Sequence, residues 1–341
     1  AILLAYIIPA IISFALNADY SQASIHDFSK NYFIPLAIIA VMSSLSLTQL
    51  KAIGLKPLLV FVSGSLFIAV FPLVLLFLFS ETELVSEIMI SDGYWMGIPP
   101  IVGSWIGGST SQLVLKELVE CPENIFLTVL VMDNILVNVW TILMFQSIKK
   151  SDKLNLWFKI TDVAIPEDIR VETGLKLKPL VSVAILLGIV ILCNFLVESF
   201  VAKVVLLSFL GLLISNFIKQ WNYKFALKAG GILIIVVMAV LGLKLQIATL
   251  GFNVPFLGFL VVWLVGHFLF MILIAKFLNV NMAWVPIASM ANVGGIATAP
   301  AVTAAYNLKW MPHAIVLAIL SLATGTFWGM LTIWLLKYFV V

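Results

Sequence analysis

GSWIGGSTSQ, residues 103–112, and its echo ANVGGIATAP, residues 291–300, each interrupt a long apolar run with two adjacent glycines. Glycine weakens a helix and allows the backbone to turn or to approach another segment closely. Hydroxyl and amide side chains flank each pair: Ser109, Thr110, Ser111 and Gln112 beside Gly107 and Gly108, and Asn292 and Thr298 beside Gly294 and Gly295. A helix broken at membrane depth is tolerated only where protein buries it or where it lines a cavity. A pair of such breaks in corresponding halves of a chain points to a transporter's binding site. The bland alternative is that the glycines only let helices pack closely. The polar cluster at each break favours a site, and these ten residues are the candidate substrate-binding set.

Working outward, the surrounding composition is that of a polytopic membrane protein. Hydrophobic residues make up 63% and charged residues 10% of 341, against roughly 25% charge in a soluble domain. The mean hydropathy is +1.17. The formal net charge of +3 is small and scattered, which excludes nucleic acid as an expected partner. The two cysteines, Cys121 and Cys193, are too isolated for a disulfide framework or a metal site. The opening run, AILLAYIIPAIISFAL, lacks the basic flank and cleavage site of a signal peptide.

Apolar periodicity and turn residues predict spans at 1–16, 33–50, 57–79, 124–148, 179–197, 203–217, 230–246, 255–277 and 312–338, with broken elements at 95–119 and 284–306. An acidic connector holds Glu81, Glu83, Glu87 and Asp92, and a basic loop covers 149–178, whose LNLWFKI piece suits a membrane interface. The halves match in order. Ile38–Met42 aligns with Ile234–Met238, Trp105–Gly108 with Asn292–Gly295, and Asn138–Trp140 with Thr326–Trp328. Matches in constant order indicate a duplicated unit: a first repeat over 1–148, a cytoplasmic linker over 149–178, and a second repeat over 179–341. The 179–197 span has no partner in the first repeat, and that partner is expected to precede Ala1. If every element crosses the bilayer, the basic segments fall on both sides and the repeats are parallel. If the broken elements turn back, Lys51, Lys56, the 149–178 loop, Lys219, Lys224, Lys228, Lys276 and Lys309 share one side, the acidic connector with Glu117, Glu120 and Glu123 the other, and the repeats are inverted. The positive-inside bias favours the second arrangement.

Asp133 lies near the middle of an apolar span, in VLVMDNILVNVW. An ionisable group there costs several kcal/mol unless paired, protonated or bound to a cation. Asn134 is its neighbour, and Asn138 follows about one turn later, in reach of the face of Asp133 or Asn134. A carboxylate with amide oxygens suits a hard cation such as Na⁺, or a proton. Asp133, Asn134 and Asn138 are therefore the candidate cation ligands. Ser321 matches Asp133 and Thr326 matches Asn138, so the acid belongs to one repeat only. The alternative is a hydrogen-bonded core aspartate with no transport role. No metal site beyond a possible Na⁺ at Asp133 is expected. No zinc motif, membrane aspartate pair or nucleotide-binding motif is present, so an enzyme is the weakest reading. A channel would need a continuous polar lining, and a membrane scaffold without transport leaves the polar clusters unexplained. A cation-coupled secondary transporter of a small organic solute, anionic or zwitterionic, is the favoured reading.

GSWIGGSTSQLVLKELVECPENIFLTVLVMDN, with ASMANVGGIATAPAVTAA, resembles DUF819, the YjcL-like bacterial membrane family, over nearly the whole chain. The first motif continues as Ser-Thr-Ser-Gln where the family pattern leads one to expect an Asn. That family is in turn similar to bile acid:sodium symporters, sodium/proton antiporters and the citrate and glutamate sodium symporters. The resemblance implies an all-α fold of two inverted repeats with discontinuous or re-entrant helices crossing at mid-membrane. It implies an elevator-like movement of a core (57–148 and 255–341) against a scaffold (1–16, 33–50 and 179–246). It also implies Na⁺ or H⁺ as coupling ion with no other cofactor, a homodimer in the lipid bilayer, and a place in the bacterial inner membrane.

Overall fold

A computed structural model describes residues 2–16, 20, 23–44, 53–163, 176–243 and 253–340, and every regular element in them is helical. In chain order α1 (Ile2–Ala15) precedes α2 (Ile25–Phe28), which runs through a π-helical segment (Ser29–Phe33) into α3 (Ile34–Met42). Then come α4 (Leu55–Leu78), a π-helical Leu84–Ser91, a 3-10 turn (Tyr94–Gly97), α5 (Ile98–Val119), α6 (Glu123–Ile148) and α7 (Ser151–Phe158). The chain continues with α8 (Pro179–Leu196), α9 (Phe200–Phe217), α10 (Tyr223–Gly242) and α11 (Val254–Phe277). It ends with α12 (Trp284–Val293), α13 (Gly295–Ala304), a 3-10 turn (Leu308–Trp310) and α14 (Met311–Phe339). Among the described residues, α4, α6, α8, α10, α11 and α14 are long and apolar enough to cross a membrane.

The span expected at 33–50 starts at Ile25 instead, because Phe28 stacks on Tyr32 (4.8 Å) and meets Phe33 edge-on (5.0 Å), giving a polar-looking stretch an apolar face. The expected helix at 230–246 begins at Tyr223, where Asn222 caps it by accepting from the Phe225 amide at 3.1 Å. The residues 45–50 and 244–246 of those two expectations lie outside the described set, as do Lys51 and residues 164–175. Part of the acidic connector is regular: Leu84–Ser91 is π-helical and carries Glu87, with Glu81, Glu83 and Asp92 flanking it.

The chain forms two compact units, one of Ala1–Ser46, Lys116–Val131 and Glu172–Phe252, the other of Leu47–Leu115, Met132–Val171 and Asn253–Val341. In the first, α3 is the buried centre, apolar on nearly every side, and α9 and α10 pack on it. Asn194 of α8 donates to the Asn31 carbonyl (2.7 Å), meeting a backbone acceptor in the π-helical segment. Lys116, buried, pairs with Glu123 (2.6 Å) and Glu117 (3.2 Å) and ties the end of α5 to the start of α6.

The second unit contains two helical hairpins. In α5 the backbone at Gly108 takes φ 62° and ψ −166°, a region essentially reserved for glycine. A side chain at Gly103 would stand 2.8 Å from the Gln112 amide nitrogen and 2.7 Å from a Leu115 methyl. A straight helix would hold residues 103 and 112 about 13 Å apart, so α5 folds back on itself. The second hairpin is α12 and α13, which turn at Gly294-Gly295 with φ 69° at Gly295. Its two ends meet: Asn281 reaches the Tyr306 hydroxyl (3.4 Å), and the rings of Trp284 (4.9 Å) and Tyr306 (5.4 Å) both lie on Trp310. The broken elements thus turn back.

They start from opposite ends of this unit. Tyr94, ahead of the first hairpin, packs on Phe256 near the start of α11 (5.1 Å), whereas Lys276 near its end sits over Phe158 (5.3 Å). Twenty helical residues separate those contacts by about 30 Å. The Phe158 end also holds Lys56, paired with Asp162 at 2.7 Å, and Tyr306, which donates to Asp152 at 3.0 Å. One end is therefore rich in lysine and the other carries Glu81–Asp92.

Cysteine placed at exposed Lys153 and at exposed Ser91 should label with a membrane-impermeant maleimide from opposite faces of the membrane. The native cysteines should stay silent, since both are buried and burial, with Glu123 adding and Lys116 opposing, pushes the Cys121 thiol up to about 12. Labelling of both positions from one face would overturn this arrangement.

Candidate functional site

The two hairpins meet on the middle of α14. A side chain at Gly325 would run into the backbone of Gly107, so the first hairpin's tip lies directly against α14. Breaking α5 at Gly108 leaves carbonyls of its first half without helical partners. Ser321 of α14 supplies one of them, donating to the Ile106 carbonyl. The same hydroxyl lies 3.0 Å from Asn292 Oδ1 of the second hairpin, and with one proton it serves one acceptor at a time. Ser65 of α4 approaches Asn292 Oδ1 from the other side at 3.0 Å, and Asn292 Nδ2 is 3.5 Å from the Phe61 carbonyl. Thr326, a little further along α14, donates to Ser111 Oγ (3.0 Å). Trp140 of α6 donates to Ser289 of the second hairpin (3.0 Å).

Asp133 is buried, and both carboxylate oxygens face the first hairpin. Trp105 Nε1 donates to Oδ1 at 2.8 Å and Ser104 Oγ donates to Oδ2. Gln112 lies beside the carboxylate as a third polar neighbour, though its Nε2 closes no hydrogen bond of normal geometry. Among the described residues no cation pairs with Asp133. Its oxygens each retain lone-pair capacity after these two bonds.

Three polar atoms on the hairpins are buried and unpartnered: Thr110 Oγ1, Gln112 Nε2 and Thr298 Oγ1. Buried polar groups are nearly always hydrogen-bonded, so three orphans on two facing turns call for a partner. Thr110 and Gln112 fall in the first turns of the returning half of α5, and Thr298 in the first turn of α13. Helix N-termini carry free amides and partial positive charge. Among the described residues the site therefore offers donors and no cation, a setting for a carboxylate-sized group.

The expected substrate residues Gly107, Gly108, Ser109, Thr110, Ser111, Gln112, Asn292, Gly294, Gly295 and Thr298 all belong to the two hairpins of one unit. Asp133 joins them through Ser104 and Trp105. Asn138 does not: it is exposed, and its amide donates to the Asn134 carbonyl of its own helix (2.7 Å). Five residues advance a helix by about 140° beyond a full turn, which turns Asn138 away from Asp133. Asn134 is half-buried on the face between them. Ser65, Ser104 and Ser289 were missed by sequence reasoning. Ser104 lies inside the quoted motif, but Ser65 and Ser289 are single hydroxyls in apolar helices and carry no sequence signal.

Residues that align between the halves make the same contact. Trp105 bonds Asp133, and their counterparts Asn292 and Ser321 bond each other. Trp105 also packs on Trp263 of α11 (4.6 Å), while Asn292 bonds Ser65 of α4.

Trp105→Phe should lower stability by about 1–3 kcal/mol, because it leaves a buried carboxylate oxygen short of a donor. Trp263→Phe is the matched control, since Trp263 is equally buried but its Nε1 has no partner. Melting curves of the two purified variants should separate clearly. Equal shifts would mean that the bond to Asp133 contributes nothing.

No curated protein and no solved structure matches this chain. The family described as "Protein of unknown function (DUF819)" matches residues 1–339, and the chain with its two glycine-turned hairpins belongs to that family.

Proposed function

We propose that this protein is a secondary transporter that couples Na⁺ or H⁺ to the movement of a small anionic or zwitterionic organic solute. The observation that carries the reading is the pair of turned hairpins whose facing tips hold Thr110, Gln112 and Thr298 buried without partners. A structural purpose alone would be served by pairing those groups within the protein, as Ser321 and Asn292 are paired. The donors favour an anionic group on the solute, and the lack of a lysine or arginine among them favours one carboxylate over two.

Asp133 supports the coupling ion. It is a buried acid in a spanning helix, its hydrogen-bond partners among the described residues are neutral donors, and a cation or proton would offset its charge. In this reading Asp133 binds the cation, with carbonyls freed by the turns as further ligands. Asn138, exposed and bonded to its own helix, would join only after a rearrangement, so it is secondary to Ser104 and Gln112 in the proposal.

The matched contacts of the two halves, and hairpins that start from opposite ends of one unit, support inverted repeats. All site residues fall in the unit of Leu47–Leu115, Met132–Val171 and Asn253–Val341. We assign that unit the role of moving core and the other that of scaffold and dimer contact, in an inner bacterial membrane. No feature of the site favours an enzyme or a channel.

The test uses the purified full chain, screened by thermal shift against metabolite carboxylates and amino acids with and without Na⁺, across pH. In Asp133→Asn the new amide can accept from Trp105 and donate to Ser104, so folding should survive. Stabilisation by the ligand should persist while its dependence on Na⁺ and pH disappears. A well-folded Asp133→Asn with unchanged cation dependence would refute the coupling role.

A further inference from the structure

Helix α7 has no part in the site, yet it is built as if it faces something. Its inner side is fastened to the base of the second hairpin. Asn155 donates to Asn281 Oδ1 (3.0 Å) and accepts from the Met282 amide (2.8 Å). Asp152 accepts from Tyr306 (3.0 Å), and the Thr161 backbone and hydroxyl close a two-bond ring with Asn279 at 2.9 and 2.6 Å. Asn281 and Tyr306 are the two ends of that hairpin. The α7 segment therefore clamps both.

The outer side is different in kind. Leu156 is 81% and Trp157 74% exposed, adjacent on a helix of eight residues. Around them Lys149, Lys150, Lys153 and Lys159 are all exposed, and none forms an ion pair among the described residues. The segment's two acids are already engaged, Asp152 with Tyr306 and Asp162 with Lys56. What remains outward is apolar and positive together. A partner protein's apolar face would bury Leu156 and Trp157 but leave the lysines to be desolvated. A layer of anionic headgroups over acyl chains satisfies both at once.

We propose that α7 docks on anionic phospholipid headgroups, and that Asn155 transmits this contact to the base of the second hairpin. Leu156 and Trp157 enter the boundary of the acyl layer while the lysines stay at headgroup level. Held there, α7 keeps residues 279–282 and Tyr306 together. This surface is independent of whether the chain transports anything, so its test does not depend on a substrate.

The full chain is placed in nanodiscs of phosphatidylcholine alone, or of phosphatidylcholine mixed with phosphatidylglycerol, and hydrogen exchange is followed over 279–306. Anionic lipid should slow exchange there several-fold. The quadruple Lys149, Lys150, Lys153, Lys159→Gln variant should lose that protection, and the corresponding Arg variant should keep it. A bimane on Trp157→Cys should be quenched by brominated acyl chains in both the wild-type background and Asn155→Ala. In Asn155→Ala the protection of the hairpin should nevertheless be gone, and Tyr306→Phe, which removes the Asp152 bond, should weaken it independently. Equal exchange in the two lipids, or protection retained by the Gln variant, overturns the proposal. So does protection by soluble glycerol 3-phosphate, which would mean a free-anion site, or crosslinking of position 157 to a second chain in place of quenching.

Discussion

A hydrocarbon layer offers no partner to a backbone amide or carbonyl, and the rest of this structure follows from how two deliberate violations of that rule are covered. Gly108 and Gly294-Gly295 stop helices inside the fold and leave carbonyls exposed at the turns. Ser321 of α14 is in reach of both turns, donating to either the Ile106 carbonyl or Asn292 Oδ1, and Ser65 of α4 donates to Asn292 from the other side. The hairpins are thus held by side chains on long helices rather than by each other. Removing α14 would leave the Ile106 carbonyl of the first turn without Ser321 and the second turn held to α4 alone.

That role explains the composition of α14. Where the first hairpin lies against it the helix has Gly325 and Gly329, and side chains there would strike Gly107 and Leu115. Between and around these glycines it carries Ser321, Thr324 and Thr326, of which Ser321 and Thr326 reach the hairpins while Thr324 bonds its own helix. Small residues bring backbones close, and hydroxyls then satisfy what the close approach exposes. Ser321 lies about 15 Å from the start of α14 by helical rise, so the turns meet well inside the helix and away from its ends.

Much of this was legible in the sequence, and the reasons for success and failure are physical. A glycine pair flanked by hydroxyl and amide side chains marks a break, whereas Gly230-Gly231, without such neighbours, stays inside unbroken α10; both breaks were placed to the residue. The cation bias selected hairpins over crossing helices because charge sidedness is a strong constraint in membranes. Hydropathy found α4, α6, α8, α11 and α14 to within a few residues. It failed at 25–33, where aromatic contacts make a polar stretch helical, and at Leu84–Ser91, where acidic residues hide a π-helical turn. Spacing suggested that Asn138 could share a face with Asp133 or Asn134, and the backbone of Asn134 is what it reaches. Ser65 and Ser289 were illegible because a single hydroxyl in an apolar helix looks the same whether it bonds its own turn or another segment.

The two halves repeat the same contact with unequal chemistry, and the inequality is the instructive part. On one side an indole N–H meets a carboxylate, Trp105 to Asp133; on the other a hydroxyl meets an amide, Ser321 to Asn292. Either pair is enough to hold a hairpin to a spanning helix. A neutral pair does so without placing charge in a low-dielectric setting, where an acid is expensive. Latching alone would therefore favour the Ser–Asn solution in both halves. The acid has been kept at one position of the two, with donors that satisfy its oxygens only in part and no counter-charge from the described chain. A charge that the packing does not need is best accounted for by something outside the packing that needs it.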